Sequence, residues 1–253
     1  MMAYGVFAEF YDGLTRNVDY KEKADFLCEI FKRFGHDPGV TLDLACGTGS
    51  LAVELKKRGV DVFGADMSAE MLTQAQQKAY ENDLEIMFIR QKMQSLELFG
   101  EIDTCVCTLD SLSHLKGEAE LKKAIERVAY YMTGGGLFVF DVNTPYKHKE
   151  ILGNNTFVYD TDEVYLVWQN TFRESDCSVK IELDFFEPVG GKYVRDSESF
   201  REFAYPFEKI NQILDGAGFE TLAVYDDTSF NEPSKTSQRL TIAARRKNDN
   251  ERD

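Results

Sequence analysis

Thr41-Leu42-Asp43-Leu44-Ala45-Cys46-Gly47-Thr48-Gly49 is a short apolar run with an acid set into it, closed by a glycine loop. Ser50 to Arg58 follows with helical character. Seventeen residues past Gly49 a second apolar run, Val60-Asp61-Val62-Phe63-Gly64-Ala65, ends in Asp66. The order is strand, glycine loop, helix, strand, acid. Glycines let the backbone turn tightly and approach a ligand. The helix start offers unpaired N–H donors and the positive end of a dipole. The second acid is placed to accept both hydroxyls of a ribose.

This is the layout of a nucleotide-binding half of a Rossmann-like sheet. Two ligand classes fit it. Gly47-Thr48-Gly49-Ser50-Leu51-Ala52 reads as G-x-G-x-x-A, a dinucleotide fingerprint. However, Ala45-Cys46 separate the strand from the first glycine, and Asp43 sits in the end of the strand. A carboxylate there repels pyrophosphate and suits a ligand carrying an amino group and a sulfonium. The run LDLACGTG resembles motif I of the class I S-adenosylmethionine-dependent methyltransferases.

That resemblance implies an α/β fold: a Rossmann-like, seven-stranded, mostly parallel sheet with helices on both faces. Its last strand (Gln238–Ala244) would run antiparallel between the fifth and the sixth (Phe219–Tyr225). It implies S-adenosyl-L-methionine as cofactor, held by Asp43, Ala45, Cys46, Gly47 and Gly49. Asp66-Met67-Ser68-Ala69-Glu70-Met71-Leu72 matches the family's D-x-S-x-x-M-L, so Asp66 would hold ribose and Met67 would pack on adenine, with Met71 beside them. Ser68 reads as a helix N-cap. After the third strand, Ile86–Ile89, the family carries an acid for the adenine amino group. Lys92 stands there instead, and Gln91 and Met93 remain as the adenine-side contacts.

The fourth strand, Ile102–Cys107, leads into Thr108-Leu109-Asp110-Ser111-Leu112-Ser113-His114. Ligands of open α/β sheets bind beyond the carboxyl ends of the strands. Leu109 and Asp110 are therefore expected at the transferable methyl, and Asp110 could also orient the acceptor. His114 and Asp110 are the candidate catalytic residues, either as general base for a hydroxyl acceptor; imidazole titrates near neutrality, which suits His114. A helix from Glu118 to Met132 is expected to stop in a turn at Thr133-Gly134-Gly135-Gly136, before a fifth strand over 137–141. Asn143-Thr144-Pro145-Tyr146 follows that fifth strand; the N-P-P-Y motif of amino-group methyltransferases follows the fourth, so it does not carry over. Asp141, Asn143 and Tyr146 still point to the acceptor.

Residues 153–204 break the alternation of strand and helix. Four segments rich in aromatic and β-branched residues, separated by Gly, Asn, Ser and Asp, predict an antiparallel sheet inserted after the fifth strand. It holds the only tryptophan, Trp168, a candidate substrate contact, and eleven acids against five Lys and Arg. The expected organisation is a core of 1–152 and 205–247, an insertion of 153–204 capping the acceptor, and a disordered tail at 248–253. Residues 1–34 would form a helical lid, with Tyr11 and Tyr20 over the cofactor.

Composition narrows the partners. With 44 Asp and Glu against 29 Lys and Arg, the chain carries −15 and no basic run that suits nucleic acid. Arg245-Arg246-Lys247 reads as solvated tail. Five cysteines at irregular spacing and three scattered histidines make no zinc pattern, and Cys105 and Cys107 read as small buried hydrophobes. No apolar run reaches the ~20 residues that span a bilayer. A cytoplasmic monomer or homodimer, transferring methyl to O or N of a small molecule, is expected. The alternatives are an S-adenosylmethionine-binding protein without transferase activity and a nicotinamide oxidoreductase.

Overall fold

The computed structural model describes residues 18–248. The first described helix, α1 (Tyr20–Arg33), is capped by Asp19, whose Oδ1 accepts the Glu22 N–H at 2.8 Å. Phe26, Leu27, Ile30 and Phe31 recur at helical spacing and are buried. There follow β1 (Val40–Leu44), α2 (Ser50–Lys57), β2 (Asp61–Asp66), α3 (Ala69–Glu81), β3 (Phe88–Arg90), β4 (Ile102–Cys107), α4 (Glu118–Tyr131) and β5 (Met132–Asn143). After an interval come α5 (Phe207–Gly216), β10 (Phe219–Asp226) and β11 (Arg239–Arg246). That interval holds β6 (Thr156–Asp160), β7 (Tyr165–Arg173), β8 (Ser178–Val189) and β9 (Lys192–Phe203).

The large sheet has seven strands in the order β10-β11-β5-β4-β1-β2-β3. β11 runs antiparallel to both its neighbours, and the β1–β2, β1–β4, β2–β3 and β4–β5 pairs are parallel. Central parallel strands are covered on both faces and lose alternation; accordingly Thr41 to Leu44 are all buried. One face packs Leu42, Leu44, Cys105, Cys107, Phe138 and Phe140 together, as expected of the two cysteines. The other packs Phe31, Leu51, Leu55, Val106, Leu137 and Val139. β6–β9 form a separate four-stranded antiparallel sheet with its own core of Leu166, Val179, Ile181, Leu183 and Phe185.

Three local expectations change. The turn expected at Thr133–Gly136 is strand: β5 starts at Met132 and runs twelve residues, paired with β4 across a register shift between Ile102 and Thr104. A bulge absorbs the glycines, with Gly135 in the left-handed region (φ 83°). The third strand begins at Phe88 rather than Ile86. Arg245-Arg246-Lys247 is not a solvated tail. Arg246 is buried and donates to the carbonyls of Ala129, Ala217 and Gly218, while Arg245 donates to Phe34 O at 3.0 Å. These two arginines staple the end of β11 to three helix ends.

Candidate active site

The 45–49 loop leaves β1 at the carboxyl edge of the sheet. Ala45, Gly47 and Gly49 all take positive φ. A Cβ on Gly49 would lie 2.8 Å from Ala75 Cβ, so this glycine allows α3 to pack on the loop. A Cβ on Gly47 would meet open space. Asp66, at the end of β2, holds the loop: its Oδ2 accepts the Gly47 N–H at 3.0 Å and its Oδ1 the Ser68 N–H at 2.8 Å. Cys46 is buried, its Sγ against Gly64. A cleft lined by Tyr20, Asp43, Ala45, Cys46, Gly47, Thr108 and Leu109 opens beside the loop.

Asp43 stands in that cleft only 2% exposed, and its Oδ2 has no hydrogen-bond partner among the described residues. Burial, then the nearby Asp66 charge, push its carboxyl up to about 7, against one N–H from Ala52. Burial also raises Asp66, against the N–H groups of Ser68 and Gly47.

The loop after β4 is built on an unusual backbone. Leu109 and Asp110 both lie in the left-handed region, at φ 57° and 61°. Side chains disfavour this conformation, and two in succession need support. Asp141, on β5, gives it: Oδ2 accepts the Leu109 N–H at 3.0 Å and Oδ1 the Asp110 N–H at 2.7 Å. Lys23 of α1 closes on Asp141 Oδ2 at 3.2 Å. Asp141 thus braces the loop from β5.

Asp110, expected as a catalytic residue, stands in an ion pair. Arg239 grips its carboxylate with two donors, at 2.9 and 2.6 Å, and Lys147 Nζ lies 3.6 Å away. Burial alone would raise this carboxyl; Arg239 and then Lys147 outweigh it and hold Asp110 ionised, well below the usual carboxylate range. Arg239 is there because β11 is antiparallel, which sets its first residue opposite Asn143, the last of β5.

Around Asn143 a further cluster forms. Its Nδ2 donates to Glu202 Oε2 at 3.1 Å, and its Oδ1 accepts from Lys147 at 2.7 Å. Glu202 comes from β9 and is 8% exposed. His114 Nε2 lies 3.6 Å from its Oε1, and His148 Nε2 3.8 Å from its Oε2. The His114 ring packs on Phe200 at 5.1 Å. His148, on the wide π-type turn Lys147–Leu152, is wholly buried, and its Nδ1 meets Cys177 O at 3.0 Å. Burial holds that imidazole below its ordinary value, against the pull of Glu202.

Other expected site residues fall as follows. Met67 is half exposed beside Asp66, and Met71 is buried, its N–H donating to the capping Ser68 Oγ. Gln91 donates its backbone N–H to Asp66 O at 2.9 Å; Met93 packs on the main core. Tyr146 is half-buried on the turn after β5. Trp168 is held within the small sheet: its Nε1 donates to Asn170 and its ring meets Phe157 and Tyr159. Tyr11 lies outside the described residues. Lys23, Lys147, His148, Glu202 and Arg239 were not legible as site residues, because each is defined by a partner on another strand or helix.

The donor set fits a ligand with a cationic end. An orphaned buried carboxylate oxygen, Asp43 Oδ2, borders a loop whose Gly47 leaves open the space a side chain would fill. Residues 41–136 match the family model of the methyltransferase domain. A protein of Geobacillus sp. (strain WCH70) named as a methyltransferase is 34% identical, over 97% of this chain and 100% of its own. YqeM of Bacillus subtilis (strain 168), likewise named as a methyltransferase, is 31% identical, over 97% and 98%. The crystal structure of an S-adenosylmethionine-dependent methyltransferase from Clostridium acetobutylicum ATCC 824 superposes with a TM-score of 0.88 at 34% identity, covering 96% of this chain and 99% of that one. With its sheet order, its glycine loop and these relatives, the chain belongs to the class I S-adenosylmethionine-dependent methyltransferases.

Proposed function

We propose that the protein transfers the methyl group of S-adenosylmethionine to an oxygen or nitrogen of a small molecule. The carrying observation is a convergence: the loop 108–115 has the glycine loop and Asp43 on one side and the Asn143–Glu202 cluster on the other. When bound, S-adenosylmethionine supplies a methyl already activated on a sulfonium. The chain then has to align and desolvate the partners rather than do covalent work.

The roles divide by position. Asp43 takes the amino group of the cofactor, and the backbone at Ala45, Cys46 and Gly47 receives its methionine end. Asp66 takes the ribose, Met67 packs on adenine with the Met93 backbone N–H at its edge and Gln91 beside it, and Tyr20 and Leu109 close the cleft. On the acceptor side stand His114, Asn143 and Tyr146, beneath the sheet β6–β9.

Calorimetric titration with S-adenosylmethionine and with NAD tests the cofactor. Binding of the first at micromolar affinity and none of the second is expected; NAD binding alone refutes the reading. Release of S-adenosylhomocysteine across a panel of small alcohols and amines then tests the acceptor class. Methylation of RNA or a protein in preference to every small molecule would overturn it.

A further inference from the structure

Three carboxylates surround the loop 108–115, and they are neutralised unequally. Asp110 has the two-donor grip of Arg239. Asp141 has Lys23 and two backbone N–H groups. Glu202 has an amide, from Asn143, and two imidazoles. A carboxylate this deeply buried needs a counter-charge or full hydrogen bonding, and among the described residues no Lys or Arg ion pair serves it.

His148 does not fill the gap. Its Nδ1 faces the Cys177 carbonyl, so that nitrogen carries the proton, and burial keeps the ring neutral. Its Nε2 then turns a lone pair toward Glu202 and finds no hydrogen-bond partner among the described residues. His114 is different. It is the more exposed of the two imidazoles, its ring is seated on Phe200, and its Nε2 faces Glu202 Oε1. Phe200 and Glu202 are alternate residues of β9 and so share one face of the small sheet.

From this geometry, and resting on the methyl-transfer reading above, we infer that Glu202 is a positioning residue that fixes His114 with Nε2 protonated, so that the imidazole takes the proton of the acceptor. The substrate class follows: a hydroxyl, or an amine arriving as ammonium, whose reacting atom must shed a proton. In balance, the X–H bond of the acceptor breaks and an X–CH3 bond forms. The C–S bond pair stays on sulfur, and the proton goes to His114. The charge on the imidazole then meets the Glu202 carboxylate, the one acid of the three without a resident cation. The inserted sheet thereby contributes to the chemistry as well as to the shape of the pocket.

Two-bond 1H–15N spectra of the imidazoles report which ring nitrogen carries the proton, and need no acceptor. With three histidines in the chain, the His114 signals are assigned by their loss in His114→Asn. In the wild-type protein at pH 8, His114 is expected as the Nε2–H tautomer. In Glu202→Met the Nδ1–H form is expected to appear beside it, while Glu202→Gln, which keeps an acceptor oxygen, retains the single tautomer. An Nδ1–H tautomer in the wild type, or an unchanged one in Glu202→Met, overturns the inference. If Glu202→Met does not fold, an Nδ1–H tautomer in the wild type still overturns the inference, and the comparison with Glu202→Gln, in which loss of the negative charge leaves the tautomer but lowers the imidazole's affinity for a proton, supports it. Calorimetry of the wild type with S-adenosylmethionine separates the two readings: no binding refutes methyl transfer, and binding with the wrong tautomer refutes only the role of Glu202.

Discussion

Asp141 Oδ1 accepts the backbone N–H of Asp110 at 2.7 Å, so a side chain of β5 sets the conformation of the loop after β4. The same carboxylate holds Leu109 and is held by Lys23. Removing it leaves a buried ammonium with the Thr228 hydroxyl but no counter-charge, and two N–H groups without their acceptor. Asp141→Ala is therefore expected to cost about 3–5 kcal/mol of stability, read as a lower urea midpoint at unchanged m-value. A cost under about 1 kcal/mol, the scale of an exposed pair, would mean that the loop holds itself.

Gly47 and Gly49 should respond differently to the same substitution. Gly49→Ala places a methyl 2.8 Å from Ala75 Cβ at φ 72°, which should cost about 2–4 kcal/mol of fold stability. Gly47→Ala meets open space at φ 53° and should cost about 1 kcal/mol, yet weaken S-adenosylmethionine by tenfold or more, because the methyl enters the cleft. Thermal unfolding and calorimetry on the two variants separate a packing glycine from a ligand glycine. Equal loss of stability would contradict the assignment.

Asp43 makes stability depend on pH in an unusual direction for an acid. Its folded carboxyl is raised to about 7, above the unfolded value near 3.9. The folded state therefore binds more protons between these values, and stability falls as pH rises from about 4 to 7. Roughly three units at ~1.4 kcal/mol each give a fall of about 4 kcal/mol. Asp43→Asn should flatten that slope, gaining on the wild type above pH 7 and losing the gain by pH 4. Urea unfolding at several pH values measures it; parallel wild-type and variant curves would mean that Asp43 is ionised in the free protein. Because an ammonium ligand needs the carboxylate, S-adenosylmethionine affinity should also drop as pH falls below 7.

Asp66 ties the glycine loop to β2 and faces the ribose in the proposed site. Asp66→Ala should weaken S-adenosylmethionine by about 1–3 kcal/mol, the scale of hydrogen bonds to a charged group. Calorimetry at constant pH reads it directly, and an unchanged affinity would move the ribose elsewhere.

The parts of the site that lie close in sequence were legible as pattern. Asp43, Gly47, Gly49 and Asp66 span 24 residues, and their spacing alone carries the strand–loop–helix–strand unit. The small sheet announced itself through aromatic and β-branched runs between turn residues. What stayed hidden are pairs between distant elements: Lys23 with Asp141, 118 residues apart, and Arg239 with Asp110, 129 apart. An ion pair between distant elements imposes no periodicity on either of them, so the sequence shows Asp110 and Asp141 without these partners. The Gly134–Gly136 run misled for another reason. Glycines mark turns and bulges alike, and only the pairing of β5 with β4 distinguishes them.

The junction at Asn143 constrains how this enzyme could be re-engineered. Asn143 closes β5, bonds Lys147 on the following turn, and bonds Glu202 at the far end of the inserted sheet. A chimera that exchanges only the four strands would bring a foreign residue 202 to a resident Asn143 and His148. The portable cassette is longer, running from Asn143 to Glu202, so that the strands move together with the turn that their last residues contact.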